Sequence, residues 1–252
     1  MRAHRTFARV AAVIIMLGTP CAAMAQPDMQ LWADITLSWI KNDRLTLGVD
    51  TEPQVLVSKP ADDPGWATLD VTPSIEYSQG KWLDVLGELK VGRTRQTDDL
   101  DSTEVTPRVG ARFHLLTNII DALARENRPR HRFVLTDLLR LEWRNLYYST
   151  DQPDSSTRRL RNRVQVLFPL NRSRITDDGA TYTLSDVEWF WPRNEPDERF
   201  ANKQRIRAGI GYRHSFSWRF ESLYVWDRAR DSAGEGFTTA DHALDLRVRR
   251  VW

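Results

Sequence analysis

Arginine is the residue type with the most chemical potential in this sequence, and it recurs at two-residue spacing. Arg140 and Arg144 flank Glu142 in this way, and Arg161 stands two residues before Arg163. A planar guanidinium pairs bidentately with carboxylates and attracts other anions. The spacing therefore predicts one shared charged surface, whose candidate members are Arg108, Arg112, Arg140, Glu142, Arg144, Arg161, Arg163, Arg207, Arg213, Arg219, Glu221 and Arg247, with Arg249, Glu76, Glu88, Glu104 and Asp245 as further partners.

Histidine and serine offer a second kind of chemistry, nucleophilic hydrolysis. His214-Ser215-Phe216-Ser217 is similar to the His-x-Ser element of outer-membrane lipid A deacylases, but position 216 is Phe where that element has Ser. His242 follows Asp241 and is expected at the edge of a loop. His114 and His131 have no serine at a matching spacing. The sequence thus predicts no catalytic residues, and a lipid-modifying hydrolase stays an alternative.

Acidic residues cluster in two connections and could hold a cation only weakly. One connection contains Asp98, Asp99 and Asp101, and another contains Asp177 and Asp178. Ca²⁺ needs several oxygen ligands at flexible spacing, and solvated loop acids satisfy this pattern equally well. No phosphate-binding loop, nucleotide motif or zinc spacing is present, so we predict no metal and no cofactor.

Alternating apolar and polar residues are the main structural signal and indicate β-strands. In the segment 68–78, for example, Leu69, Val71 and Ile75 oppose Asp70 and Thr72. The charged surface occupies the polar face of such segments. Eleven of them can be recognised, near 31–40, 45–49, 68–78, 83–91, 104–115, 139–144, 161–168, 187–191, 206–213, 218–226 and 244–249.

The N-terminal residues match a secretory signal peptide. A basic stretch, 1–9, precedes a short apolar run, 10–17, and Ala23-Met24-Ala25 has the form of a cleavage site. Cleavage between Ala25 and Gln26 would divide the chain into a leader, 1–25, and one mature domain, 26–252. An uncleaved anchor, or a lipoprotein acylated on Cys21, are the alternatives. Pro20 directly before Cys21 does not favour the lipoprotein.

Composition narrows the class of protein further. Hydrophobic residues make up 41% of the chain and its mean hydropathy is −0.51, too polar for a bundle of membrane helices. Without Arg2, Arg5 and Arg9 of the leader, 33 basic residues face 34 acidic ones, which argues against nucleic-acid binding. A soluble β-sandwich and a membrane β-barrel both remain compatible with the alternation.

Three features favour the transmembrane β-barrel over the sandwich. The polar face is densely ionic, as in a barrel lumen. Trp252 ends the last alternating strand and resembles the aromatic signal by which outer-membrane barrels are recognised for assembly, although Arg250 stands where that signal has an apolar residue. Aromatic residues also gather near strand ends, as in interfacial belts: Trp32, Trp39, Tyr77, Trp82, Tyr147, Tyr148, Trp191, Tyr212, Trp218 and Trp226.

The connections alternate in length, as expected for short periplasmic turns and longer outer loops. Because bacterial barrels have even strand numbers, we expect an all-β, antiparallel transmembrane barrel of about twelve strands, with ten as the alternative. The segment 116–131 would be either a hidden strand or a helix on a periplasmic turn.

Six short motifs of the mature chain carry a resemblance to a known family. They are Gln30-Leu31-Trp32-Ala33-Asp34, Arg140-Leu141-Glu142-Trp143-Arg144, Arg159-Leu160-Arg161-Asn162-Arg163, Glu188-Trp189-Phe190, Asn202-Lys203-Gln204-Arg205 and Gly209-Ile210-Gly211-Tyr212. With these motifs the chain resembles a bacterial outer-membrane β-barrel family known only as a domain of unknown function. The resemblance implies the fold and the cell outer membrane as the location, but no activity. The expected partners of such a barrel are membrane lipids and lipopolysaccharide, periplasmic chaperones and the barrel-assembly machinery.

Two uses of the charged lumen remain open at this point. Interlocked ion pairs would fill it, because an unpaired charge in a narrow space is costly. Alternatively, arginines at a constriction would make a narrow, anion-biased pore. A surface interaction protein working through its outer loops is a third function, disfavoured because those loops are short and polar.

Overall fold

Eleven strands form a closed barrel in the computed structural model, which describes residues 28–58, 65–97, 101–115, 133–150, 152–193 and 201–252. Within these ranges no helix is long and apolar enough to cross a membrane. The predicted cleavage site at Ala25 and Gln26 lies outside them. The strands are β1 (Asp28–Ile40), β2 (Leu45–Ser58), β3 (Trp66–Ser78), β4 (Leu83–Gln96), β5 (Ser102–His114), β6 (Val134–Tyr148), β7 (Ser155–Pro169), β8 (Ala180–Pro192), β9 (Lys203–Arg213), β10 (Trp218–Ala229) and β11 (Thr238–Val251).

Each strand pairs with its neighbours in the chain in antiparallel fashion, and β1 closes the barrel by pairing with β11 in parallel. The barrel therefore has eleven strands rather than the expected twelve or ten. An odd count makes the first and last strands run in the same direction, so their pairing has to be parallel. Because β5 pairs directly with β6, the wall has no place for a strand between them; the residues 116–131 lie outside the described ranges.

The connections lie at the two ends of the barrel. One end, called the turn end here, carries the short turns 41–44, 79–82 and 214–217 together with the longer connections 115–133 and 170–179. Asn42 Oδ1 accepts hydrogen bonds from the backbone nitrogens of Arg44 and Leu45, both at 2.9 Å, and Gly80 takes a left-handed φ of 111°. The opposite end, called the loop end, carries the connections 59–65, 97–101, 149–154, 193–202 and 230–237. Asp28 lies at the loop end and Val251 at the turn end.

The barrel is apolar outside and polar inside, as the alternation predicts. On β3 the outward Leu69 and Ile75 are 50% and 49% exposed, whereas the inward Asp70 and Thr72 are 7% and 8% exposed. A soluble barrel normally buries its apolar residues and exposes its polar ones. In this barrel the apolar face of each strand points outward and the polar face points inward, so the charged side chains share the interior.

Two small apolar clusters narrow the interior. Leu167, Tyr182, Leu184 and Leu223 pack together in the half nearer the turn end. Trp32, Val225 and Ala243 pack in the half nearer the loop end. The Tyr182 ring lies against the bare backbone of Gly211, where a Cβ would overlap the ring. The buried residues of both clusters belong to β1, β7, β8, β10 and β11, so the clusters lie on one side of the barrel.

Candidate functional site: a charged lumen

A polar cavity of about 500 Å³ occupies the interior of the barrel. Its lining reaches from Gln54 and Thr94 near the loop end to Ser38 and Thr46 near the turn end. Thirteen cationic and eight acidic residues contribute to the lining. The cations are Lys90, Arg108, Arg112, Arg140, Arg144, Arg159, Arg161, Arg163, Lys203, Arg205, Arg207, Arg247 and Arg249, and the acids are Asp34, Asp50, Glu52, Asp70, Glu76, Glu88, Glu104 and Asp245.

Glu142 of β6 is the centre of the ion-pair network, and its side chain is completely buried. Arg159 lies 2.6 Å from Glu142 Oε2 through Nη2, and Arg161 lies 2.7 Å from Oε1 through Nη1. Arg108 Nε adds a longer contact of 3.4 Å. Three guanidinium groups thus share one carboxylate, and two-residue spacing on β6 and β7 is what brings them together.

The network continues from Arg161 into β8 and β9. Arg161 Nη2 lies 2.8 Å from Glu188 Oε1, and Arg207 Nη2 lies 3.5 Å from the other oxygen of that carboxylate. Arg207 Nε also donates to Asp186 Oδ1 at 2.8 Å. These pairs extend across four adjacent strands and join the chain of contacts that begins at Glu142. Buried ions arranged in this way are mutually satisfied, as a low-dielectric interior requires.

Arg205 of β9 is held at the loop-end side of the cavity. Its guanidinium donates two hydrogen bonds to Asp227, at 2.7 and 2.9 Å, and Lys203 Nζ lies 3.1 Å from the same carboxylate. The Arg205 guanidinium carbon lies 4.6 Å from the ring centroid of Trp32 on β1. This cation–π contact reaches past β10 and β11 and narrows the lumen at this level.

Mixed pairs connect β3, β4, β5 and β6 on the side of the cavity next to this network. Lys90 Nζ lies 2.7 Å from Asp70 and 3.4 Å from Glu104, and Arg144 donates to both oxygens of Glu104. Nearer the turn end, Arg112 Nη1 lies 2.9 Å from Glu76. These contacts connect the strands on this side of the barrel without filling the cavity.

Two cations and two acids on the cavity wall have no ion-pair partner within 4.0 Å in the described part of the chain. They are Arg163 of β7, Arg249 of β11, and Asp50 and Glu52 of β2. Arg249 Nε is buried without a hydrogen-bond partner. A charged side chain that lies on the cavity wall without an ion-pair partner is available to water or to a solute in the cavity.

The structure places the twelve lumen residues predicted from the sequence in three groups. Eight line the cavity: Arg108, Arg112, Arg140, Arg144, Arg161, Arg163, Arg207 and Arg247. Glu142 and Glu221 lie buried behind this lining; Glu221 accepts a hydrogen bond of 2.6 Å from the Tyr182 hydroxyl. Arg219 lies 3.6 Å from Glu221, and Arg213 donates to the Phe216 carbonyl in the turn 214–217, so neither lines the cavity.

Several functional residues were missed because strands extend further than the clearest alternation. Arg159 precedes Arg161 by two residues, and Lys203 and Arg205 precede Arg207 at the same spacing. Continuing the period of two toward the loop end would have identified them. Glu52 gave no such signal, because the following Pro cannot donate to a ladder and so indicates a strand end.

The aromatic belt predicted from sequence is wrong for Trp32, which faces the interior and is 3% exposed. Its position in the alternation, between Leu31 and Ala33, already places it on the polar face. At the turn end the outward rings do cluster. Trp252 stacks on Trp39 with centroids 5.3 Å apart and 7° between the planes, next to the β1–β11 seam.

No hydrolase constellation forms among the described residues. The His242 ring forms a 2.7 Å hydrogen bond with the Tyr224 hydroxyl on the outer face. His114 pairs with Asp84 at 2.7 Å, and Ser78 donates to the other oxygen of that carboxylate, so the acid rather than the histidine stands between the other two groups. The described ranges also hold no group of three or more acidic, His or Cys side chains suited to a metal ion; His131, Asp98 and Asp99 lie outside them.

Comparisons with known proteins give no relative. No protein-family model, no curated protein and no solved structure matches this chain. The charged lumen and the apolar exterior therefore have to be interpreted from their own geometry.

Proposed function

We propose that this protein is an outer-membrane β-barrel whose charged lumen forms a narrow, anion-biased pore for small solutes. The observation that carries the proposal is the charged cavity that extends from near the loop end to near the turn end of a closed barrel with an apolar exterior. A filled barrel would have its charges interlocked across the axis, leaving no such space.

The exterior supports a lipid environment. The middle of the wall exposes aliphatic side chains such as Leu89, Val109 and Leu246, each at least 41% exposed. Such a surface would be costly in water and is the normal surface of a barrel in a bilayer. The signal-peptide pattern and the family resemblance agree with the same location.

The surplus of cations on the cavity surface supports the ion preference. Glu142, Glu188 and Asp186 lie behind the arginines and neutralise part of their charge, so the preference should be moderate. Arg163 and Arg249 are the cations of the lining whose charge is least neutralised, because neither has an ion-pair partner among the described residues. A positive lumen of this kind raises the local concentration of anions.

Single-channel recording of the refolded mature protein tests the proposal. With a KCl gradient across a planar bilayer, the reversal potential should indicate preference for Cl⁻. Replacing both unpaired cations, Arg163→Gln and Arg249→Gln, should reduce that preference without unfolding the barrel. The matched control is Arg93→Gln, whose side chain is 63% exposed and lies outside the cavity. Absence of current from a correctly folded, heat-modifiable barrel would refute the pore.

A further inference from the structure

The charges that face the cavity are segregated onto opposite sides of the barrel. The strands β1, β2 and β3 contribute acids and hydroxyl groups to the lining but no cation, and β6, β7 and β9 contribute cations but no acid. In the order of strands around the barrel, β2 lies opposite β7 and β8. The mixed residues of β4, β5 and β11 lie at the two boundaries. The acidic side consists of Asp34, Asp50, Glu52, Asp70 and Glu76, and the cationic side of Arg140, Arg144, Arg159, Arg161, Arg163, Lys203, Arg205 and Arg207.

The register places two unpaired charges at the same level across the lumen. Following the paired residues from Asp50 through β3, β4, β5 and β6 leads to Thr157 on β7. Following them the other way, through β1, β11, β10, β9 and β8, leads past Pro169, beyond the turn-end limit of β7. The two routes end at different positions along β7, because the strands are tilted and their register is staggered. Arg163 lies near the midpoint between these two positions, and so faces Asp50.

The lumen is narrow enough for the two sides to act on one solute. Arg205 on the cationic side reaches to within 4.6 Å of the ring centroid of Trp32 on β1, a strand of the acidic side. Asp50 and Arg163 have no ion-pair partner of their own within 4.0 Å among the described residues. A negative side and a positive side facing each other produce an electric field perpendicular to the barrel axis.

We infer that this cavity selects small zwitterionic solutes, which lie across the lumen with a carboxylate toward Arg163 and an ammonium group toward Asp50. The inference rests on the proposed pore function and names its substrate class. A free α-amino acid or a very short peptide carries both of these charges. A simple anion gains from Arg163 but is repelled by the acidic side, whereas a zwitterion is stabilised by both sides. An uncharged solute of equal size gains from neither charge.

Swelling of proteoliposomes that contain the full mature barrel provides the test, with glycine and glycolamide as probes. These two molecules are isomers, but only glycine is zwitterionic at neutral pH. We expect glycine to enter about threefold or more faster than glycolamide, a modest effect for an oriented field in a narrow site. In Asp50→Asn and in Arg163→Gln the ratio should fall to about one, while the rate for glycolamide stays within about twofold of wild type.

Matched controls make the same chemical changes away from the cavity. Asp43→Asn alters an exposed turn residue, and Arg93→Gln alters an exposed residue on the outer face. Both should keep the wild-type ratio. If the wild-type barrel conducts ions but admits glycine and glycolamide at equal rates, the inference is overturned and the pore stands. If the folded barrel admits neither ions nor solutes, the pore fails and the inference with it.

Discussion

Replacing Glu142 by glutamine should weaken the barrel more than any other single loss of charge in the lumen. The carboxylate is completely buried and receives Arg159 at 2.6 Å, Arg161 at 2.7 Å and Arg108 at 3.4 Å. Glutamine has nearly the same shape, but its amide can accept from only one of the close pair and turns its NH₂ group toward the other. One charge-assisted contact is lost and the other is weakened because its acceptor is no longer charged; a charge-assisted contact is worth about 1.5–3 kcal/mol.

The expected cost is about 3 kcal/mol, the lower end of the range for breaking a buried ion pair. The lower end applies because cavity water can partly solvate Arg159 and Arg161, whose side chains are 22% and 11% exposed. Urea unfolding of the refolded protein in detergent micelles, followed by tryptophan fluorescence, measures this as a lower midpoint at an unchanged slope.

The matched control is Glu235→Gln in the exposed connection 230–237, which should change the free energy of unfolding by less than about 0.5 kcal/mol. If Glu142→Gln also costs less than about 1 kcal/mol, cavity water replaces the carboxylate adequately. The account of Glu142 as the centre of the network would then be wrong.

Four further outcomes follow from the same geometry. Gly211→Ala should destabilise the barrel by about 1–3 kcal/mol, because its Cβ would displace the Tyr182 ring, whereas Gly234→Ala, with open space around it, should have no such effect; urea midpoints compare the two. Trp252→Ala removes the stack on Trp39 and should lower the amount of folded barrel in the outer membrane of expressing cells, whereas equal amounts would argue against an assembly role. Val109→Arg, in the middle of the outer wall, should cost about 2–4 kcal/mol in lipid vesicles, and a harmless effect would indicate a water-facing exterior. A small epitope inserted at Gly234 should be labelled on intact cells and one inserted at Asp178 only after permeabilisation; the reverse pattern would place the turn end at the cell surface.

The strands could be predicted from sequence because period-two alternation is local. All eleven segments recognised in the sequence correspond to the eleven strands, and residues such as Asp70 and Leu69 lie on the predicted faces. The local count of eleven was correct, and the expectation of twelve strands came from the even-number rule for bacterial barrels. The parallel pairing of β1 with β11 is a contact between the two ends of the chain and has no local signature.

Many of the residues that face the lumen could be predicted from the sequence, but their ion-pair partners and their positions across the lumen could not. Alternation identified Arg163 as inward-facing, but which arginines find a partner depends on the stagger of strands far apart in sequence. Arg161 and Arg163 are equivalent in the sequence pattern, yet Arg161 is held by Glu142 and Glu188 whereas Arg163 has no such pair. The opposition of Asp50 and Arg163 has the same origin.

The proposed pore requires that lipid covers the outside of the barrel and that water fills the inside. Single cysteines at neighbouring positions of β3 test it directly, with Cys21 changed to Ser. Val71→Cys places a thiol on the outer face and Thr72→Cys places one on the cavity wall; Gly234→Cys serves as the exposed reference.

A small, charged methanethiosulfonate reagent added to the protein in lipid vesicles reacts only where water reaches the thiolate. If lipid covers the outside and water fills the inside, the thiol at position 234 should be modified rapidly and the thiol at position 72 more slowly but completely. The thiol at position 71 should be protected. Modification of position 71 as fast as the exposed reference would show a water-facing exterior and contradict the membrane barrel.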